Sequence, residues 1–182
     1  MSTSTPCFTA TVPLLQTPRL LLREYRPVDF DAFAAHVSDP VSAEHLGLSD
    51  RITAWRLFCS HAGMWLLYGA GWWTMELRES GQPVGHVGAF LRDGSGGLEV
   101  GWSTYRPFGG QGYASEAAAA VLDHAFHTRR ESQVHALIAA ANTPSLRVAE
   151  RLGFAFERDI ELHGKPVGRY VRKATPSASV EP

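Results

Sequence analysis

Apolar positions along the chain switch between two spacings, and the switches mark its elements. Thr17-Pro18-Arg19-Leu20-Leu21-Leu22-Arg23-Glu24-Tyr25 is compact and apolar enough for a strand, and Pro27 stops it. Asp29 is placed to cap a short helix from about Phe30 to Val37, with Phe30, Phe33, Ala34 and Val37 on one face, ended by Ser38-Asp39-Pro40. A longer helix is predicted from about Arg51 to Leu67, where Ile52, Trp55, Phe58 or Cys59, Ala62 and Leu66 recur at three-to-four spacing. The spacing then falls to that of strands. Trp72 to Arg78 and Val84 to Leu91 are joined by a turn at Glu79-Ser80-Gly81-Gln82, and Asp93-Gly94-Ser95-Gly96-Gly97 turns into a third strand, Leu98 to Thr104.

Helical spacing returns from about Ser115 to Thr128, where Ala117, Val121 and Ala125 lie beside Ala118, Leu122 and Phe126, a broad face for packing on a sheet. His124 and His127 flank it and read as surface residues. A strand from Val134 to Ala140 leads to a short helix with both ends specified: Thr143 suits its N-cap, Pro144 its first helical position, and Gly153 the left-handed position after its end. Phe154-Ala155-Phe156 restarts a strand, and a final hairpin runs through His163-Gly164-Lys165-Pro166 to Val167 to Arg172. Residues 1–16 and 174–182, rich in Ser, Thr and Pro, read as tails on a single domain of residues 17–173.

Composition narrows the class more than it defines it. At 182 residues the chain suits one well-cored α/β domain. A formal net charge of −1 offers no basic surface for nucleic acid. No apolar stretch approaches a membrane span and no signal-peptide pattern opens the chain, so a cytoplasmic location without membrane attachment is expected. Cys7 and Cys59 are too few for a disulfide framework. His36, Glu44 and His45 fit no zinc spacing, and no metal is expected.

The candidate chemistry lies between the third meander strand and the helix after it. Arg106-Pro107-Phe108-Gly109-Gly110-Gln111-Gly112-Tyr113-Ala114 places three glycines in four positions ahead of a helix start, where converging N–H groups and the positive end of the helix dipole suit a phosphate or pyrophosphate. The loop lacks the Lys-Ser/Thr of a P-loop, and Ser115 stands at the third glycine of the dinucleotide fingerprint. A Gly-rich turn with no ligand is the alternative.

Glu99-Val100-Gly101-Trp102, then Gly110-Gln111-Gly112-Tyr113-Ala114-Ser115-Glu116-Ala117, then Asn142-Thr143-Pro144-Ser145 and Glu150-Arg151-Leu152-Gly153-Phe154, resemble in order and spacing the GNAT acetyltransferases. The opening Thr17-Pro18-Arg19-Leu20 with Leu22-Arg23 is similar to the branch that acetylates ribosomal-protein N-termini, which also contains enzymes acting on small amines. The resemblance covers about Thr17 to Lys173. It implies an α/β fold with a mixed, mostly antiparallel twisted sheet of six or seven strands and about four helices. It implies acetyl-CoA as co-substrate, with the pyrophosphate held by Phe108, Gly109, Gly110, Gln111, Gly112, Tyr113, Ala114 and Ser115. The pantetheine arm would lie along Val100 and Trp102 beside Asn142. Pro107 departs from the family's Gln/Arg and lacks an N–H, which implies one donor fewer. Relatives are often homodimers.

The chemistry so implied is attack of a neutral amine on a thioester: the amine must lose a proton, the oxyanion needs a donor, and the thiolate needs a proton. Glu99 is the candidate base, acting directly or through water, or else an exposed strand carboxylate. Ser145 is the candidate acid, or else a residue solvating the helix start. A backbone N–H from Val100 to Trp102 is the expected oxyanion donor. The early helices and the last hairpin should wall the acceptor cleft, with Trp55, Trp65, Trp72 and Trp73 serving as cleft or as core. A protein N-terminus, an aminoglycoside, a polyamine and an amino acid stay open as acceptors. A non-turnover acyl-CoA-binding module and a nucleotide-binding protein using the same loop stand as alternatives.

Overall fold

The computed structural model describes residues 10–44, 47–93 and 96–175. His45, the Gly94-Ser95 part of the predicted turn and most of both expected tails lie outside them. One eight-stranded sheet runs through the chain in the order β1-β2-β3-β4-β5-β6-β8-β7. Its strands are β1 (Leu15–Gln16), β2 (Leu20–Arg23), β3 (Gly71–Leu77), β4 (Pro83–Phe90), β5 (Glu99–Thr104), β6 (Gln133–Ile138), β7 (Ala155–Leu162) and β8 (Lys165–Lys173). All neighbours pair antiparallel except β5 and β6. The count exceeds the expected six or seven because pairing starts at Leu15, two residues inside the segment expected as a tail. Trp73 Nε1 also donates to the Pro13 carbonyl at 2.7 Å, so that segment is tied to the sheet.

Four α-helices cover the sheet: α1 (Phe30–Ser38), α2 (Arg51–Tyr68), α3 (Tyr113–Asp123) and α4 (Thr143–Arg151). The period-two alternation of β3 and β4 sends Trp73, Met75, Val87 and Ala89 to one face. There they join Ala117, Ala118 and Val121 of α3 and Ala149 of α4 in the main core. The opposite face meets α1 and α2, where Phe33, Ala34, Val37, Ala54, Phe58 and Tyr105 form a second cluster.

Three local expectations are corrected. Asp29 does not cap α1. Its Oδ2 accepts from the Arg26 N–H and both its oxygens accept from Arg23, in a buried network that also takes in Glu76. The buried side of α2 is Ala54, Phe58, His61 and Trp65, while Ile52, Trp55 and Leu66 are exposed, because this helix is apolar around most of its circumference. The N-cap of α4 is Asn142, one residue before Thr143: its Oδ1 accepts from the Ser145 N–H at 3.1 Å. Gly153, at φ 74°, closes that helix as expected.

Candidate functional site

β5 and β6 are the two strands that do not stay together. They pair in parallel only at Glu99 and His135, with His135 N–H donating to the Leu98 carbonyl at 3.0 Å. From Val100 onward β5 keeps its β4 partner but has none on the β6 side. The opening is a slot in the sheet bounded by backbone that still needs hydrogen bonds, a place for an extended, amide-bearing ligand.

The glycine-rich loop stands at the end of that slot. Arg106–Phe108 is a tight 3-10 turn, so the Phe108 and Gly109 N–H groups are already used, donating to the Tyr105 and Arg106 carbonyls. Pro107 fits this turn because the turn itself needs no donor at that position. Gly110 and Gly112, at φ 76° and 82°, turn the chain into α3 in a conformation that favours glycine. The first intrahelical bond of α3 runs from Glu116 N–H to the Gly112 carbonyl, and no side chain caps the helix. The N–H groups of Gly110 to Ser115 therefore point to no partner among the described residues, which is the arrangement an anion needs. Of the loop residues expected to hold pyrophosphate, the structure leaves these six available and uses the Phe108 and Gly109 amides internally.

The opening strand holds the loop in place. Arg19 donates to the Gln111 carbonyl at 3.0 Å and to the Glu116 carboxylate at 2.6 Å, and its guanidinium lies 4.5 Å from the centre of the Tyr113 ring. Thr17 Oγ1 donates to Glu116 as well, at 2.6 Å. Burial by itself would raise the Glu116 carboxyl, but the Thr17 and Arg19 bonds outweigh it and hold its pKa below the usual range. Residues Thr17 to Arg19 thus position the loop.

Beside the slot, on the α1–α2 face, opens a cleft of about 380 Å³. It brings together Glu99, Val100, Trp102, Asn142 and Ser145, five of the predicted site residues drawn from two parts of the chain. Glu99 is not an exposed strand carboxylate. It is 4% exposed and accepts from Arg92 Nε and Nη2 at 2.8 and 2.5 Å, one on each oxygen. A carboxylate offers about four acceptor sites, so roughly two remain. His135 lies 3.9 Å away, pushed down to about 4 by burial and by Arg169 and Arg92, and is neutral at pH 7. Asn142 uses its oxygen on the α4 cap, and its NH₂ has no acceptor among the described residues. The Ser145 hydroxyl has no hydrogen bond among the described residues.

One wall is aromatic and neutral. Trp72 lies flat against Gly88 and Gly101, and His61 and Phe90 stack on it with ring centres 4.4 and 4.7 Å away. His61 shares a 3.2 Å hydrogen bond with the Tyr25 hydroxyl, and burial pushes its pKa down to about 3. Burial also drives His86 well below the usual value, with His61 and His36 adding to it, and lowers His36. His36 is bonded to Ser103 at 2.7 Å. His86 Nδ1 and Trp72 Nε1 are buried without a partner among the described residues. A Cβ on Gly101 would come within 2.7 Å of the Trp72 ring. Gly101→Ala is therefore expected to destabilise the fold by about 1–3 kcal/mol through overpacking, read from the urea midpoint. An unchanged midpoint would mean that the ring moves freely.

Of the four tryptophans considered for the cleft, Trp72 lines it, Trp65 and Trp73 are core, and Trp55 is exposed on α2. His61, His86 and Arg92 were not singled out by sequence, His36 was weighed only as a metal ligand, and Arg19 only as part of the opening strand. Only Arg92 left a signal, an opposite charge placed across a turn from Glu99. His124, expected at the surface, is 7% exposed because the π-helical turn from His124 to Thr128 rotates it inward beside Trp73. His127 is exposed and bonded to Asp123. Among the described residues no group of three or more His, Cys, Asp or Glu could hold a metal, and no helix is long and apolar enough to cross a membrane.

Comparison with known proteins identifies the architecture. Residues 19–155 match the family model of the acetyltransferase (GNAT) domain. An uncharacterized Bacillus subtilis (strain 168) protein, YkkB, is 35% identical over 109 residues, covering 59% of this chain. The chain spans a little under two thirds of YkkB's own length, 63%. The crystal structure of an acetyltransferase from Agrobacterium tumefaciens str. C58 superposes with a TM-score of 0.83 at 28% identity, over 94% of this chain and 100% of that one. RimL, a ribosomal L7/L12 α-N-protein acetyltransferase solved in complex with coenzyme A, shares the fold with a TM-score of 0.68. It is 16% identical, with 88% of this chain and 98% of that one covered. The parted strands, the glycine turn into α3 and the three-quarters of the chain matched by the family model lead to one conclusion: this protein belongs to the GNAT acetyltransferase family.

Proposed function

We propose that the chain is an acetyl-CoA-dependent N-acetyltransferase that moves the acetyl group from the thioester to a primary amine by direct attack in a ternary complex. The observation that carries this reading is the parting of β5 and β6 at Glu99 and His135, between an uncapped helix start and a cleft that gathers Glu99, Asn142 and Ser145. The N–H groups of Gly110 to Ser115 would hold the pyrophosphate. Each bond to a charged oxygen contributes roughly 1.5–3 kcal/mol. The free β5 edge at Val100 to Trp102 would pair with the pantetheine amides, and the Asn142 NH₂ would donate to the same arm.

In the mechanism, the acceptor ammonium gives a proton to Glu99, directly or through a water, on the acceptor sites that Arg92 leaves open. The amine nitrogen forms a bond to the thioester carbon. The resulting oxyanion is met by a backbone N–H of the Val100–Trp102 edge, the kind of fixed donor that costs no reorganisation during reaction. The nitrogen gives its second proton to solvent, the C–S bond breaks, and the thiolate takes the proton of the Ser145 hydroxyl, which solvent restores.

Purified protein is expected to release thiol from acetyl-CoA when supplied with a panel of primary amines, and to be stabilised against heat by acetyl-CoA more than by ATP or NAD. Stabilisation by ATP alone would replace this reading with that of a nucleotide-binding protein. Acetyl-CoA binding without thiol release for any amine would make the chain a non-turnover binding module.

A further inference from the structure

Resting on the acetyltransferase reading, we infer that the acceptor is a small amine with a single positive charge and a flat, uncharged aromatic body. The charge balance of the cleft is the first ground. Arg92 and Glu99 are the only Asp, Glu, Lys or Arg side chains lining it among the described residues, and they cancel through two hydrogen bonds. Glu99 retains room for about one ammonium, the reacting one. A polyamine or aminoglycoside brings further cations, and these would meet Arg92 and the neutral His61 and His86, with no Asp or Glu but Glu99 in the described lining to pair them. A second cation held beside Arg92 without an anion is repelled there.

The second ground is the wall itself. His61, Trp72 and Phe90 form one stacked slab in the cleft lining, continued by Met64 and Leu57, and Phe90 stands beside Glu99, its direct partner across β4 and β5. His61 and Phe90 occupy the indole faces that would attract a cation, and Gly88 and Gly101 lie close against the same ring. What the slab offers is apolar area and ring edges, which suit an aromatic group packed edge-to-face or offset.

Size points the same way. The cleft of about 380 Å³ is near the lower end of small-molecule sites, and its Val100–Trp102, Asn142 and Ser145 side must also take the acetylated end of the co-substrate. The remainder suits one ring and a short amine-bearing arm. The transfer balances as RNH₃⁺ plus the acetyl thioester giving the acetamide, the free thiol and one proton, which leaves by way of Glu99.

The test compares 2-phenylethylamine, spermidine and a peptide beginning with Ser as acceptors for the full-length protein, by thiol release from acetyl-CoA. Isothermal titration of each amine into protein held with coenzyme A runs beside it. The expected kcat/KM for 2-phenylethylamine is about tenfold or more above either competitor. Arg92→Gln, which gives the cleft a net negative charge, should narrow the ratio over spermidine by about tenfold. Spermidine or the peptide turning over as well as 2-phenylethylamine would overturn the inference and leave the acetyltransferase reading intact. If no amine releases thiol, calorimetry decides. Preferential binding of 2-phenylethylamine keeps the acceptor class while the enzyme reading falls, and equal or no binding overturns the acceptor class too.

Discussion

Glu99→Gln is expected to lower kcat/KM for an alkylamine acceptor by about 10²–10⁴-fold at pH 7, the range of a positioned general base. An alkylamine with a pKa near 10.4 is neutral in only about one molecule per few thousand at that pH, so attack depends on proton removal within the site. An α-amine with a pKa near 8 is neutral roughly a tenth of the time, and the same variant should cost it far less. Gln keeps the size of the side chain and one carbonyl oxygen for Arg92, which separates loss of basicity from loss of shape. A parallel pH profile gives the sign: the variant's rate on the alkylamine should climb as pH rises toward the acceptor's own pKa, because solvent then does what Glu99 did. Equal and negligible effects on both classes of amine would remove Glu99 from the mechanism.

The parts of this site legible in the sequence were those set by local backbone chemistry. Glycines at Gly110 and Gly112 announce a turn with positive φ into a helix, and the alternating run after Leu98 announces the strand before it, whatever the rest of the chain does. Asn142-Thr143-Pro144 likewise announces a helix start, with an error of only one residue in the cap. What depended on tertiary contact was not legible. The inward face of α2 could not be read because Ile52, Trp55, Leu66 and Leu67 are as apolar as the residues that are buried, so spacing alone does not choose between faces. His61 is buried only because Trp72 and Tyr25 come to meet it from strand and loop positions distant in sequence. Phe108 and Gly109 looked like anion donors on the motif alone, and only the 3-10 turn shows their N–H groups already used.

Asp29 shows the same limit, and leads to the largest stability effect expected of one substitution. Local sequence makes it a helix cap. The fold instead pairs both its oxygens with Arg23, at 2.7 and 2.8 Å, and Arg23 also donates to Glu76 at 2.5 Å, with Arg23 and Asp29 each 2% exposed. Thr74 adds a hydroxyl to Asp29 at 3.2 Å, so the network joins β2, β3 and the entry to α1. Burial alone would raise the Asp29 carboxyl, and the Arg23 and Arg26 bonds outweigh it and hold it below its ordinary value. Arg23→Met keeps the apolar stem but leaves two carboxylates without their cation, and is expected to cost about 3–5 kcal/mol at pH 7. Adding Asp29→Asn to that variant should recover part of the loss, because the buried charge goes with it. The sign with pH follows from the lowered Asp29 value: its contribution to wild-type stability is full above the unfolded-state pKa of about 3.9 and is lost as pH falls through the folded one. The gap between wild type and Arg23→Met in urea unfolding should therefore be widest near pH 7 and close on the acid side. A loss under about 1 kcal/mol at pH 7, or a gap that widens as pH falls, would mean that solvent reaches these groups and that hydrophobic packing alone joins α1 to the sheet.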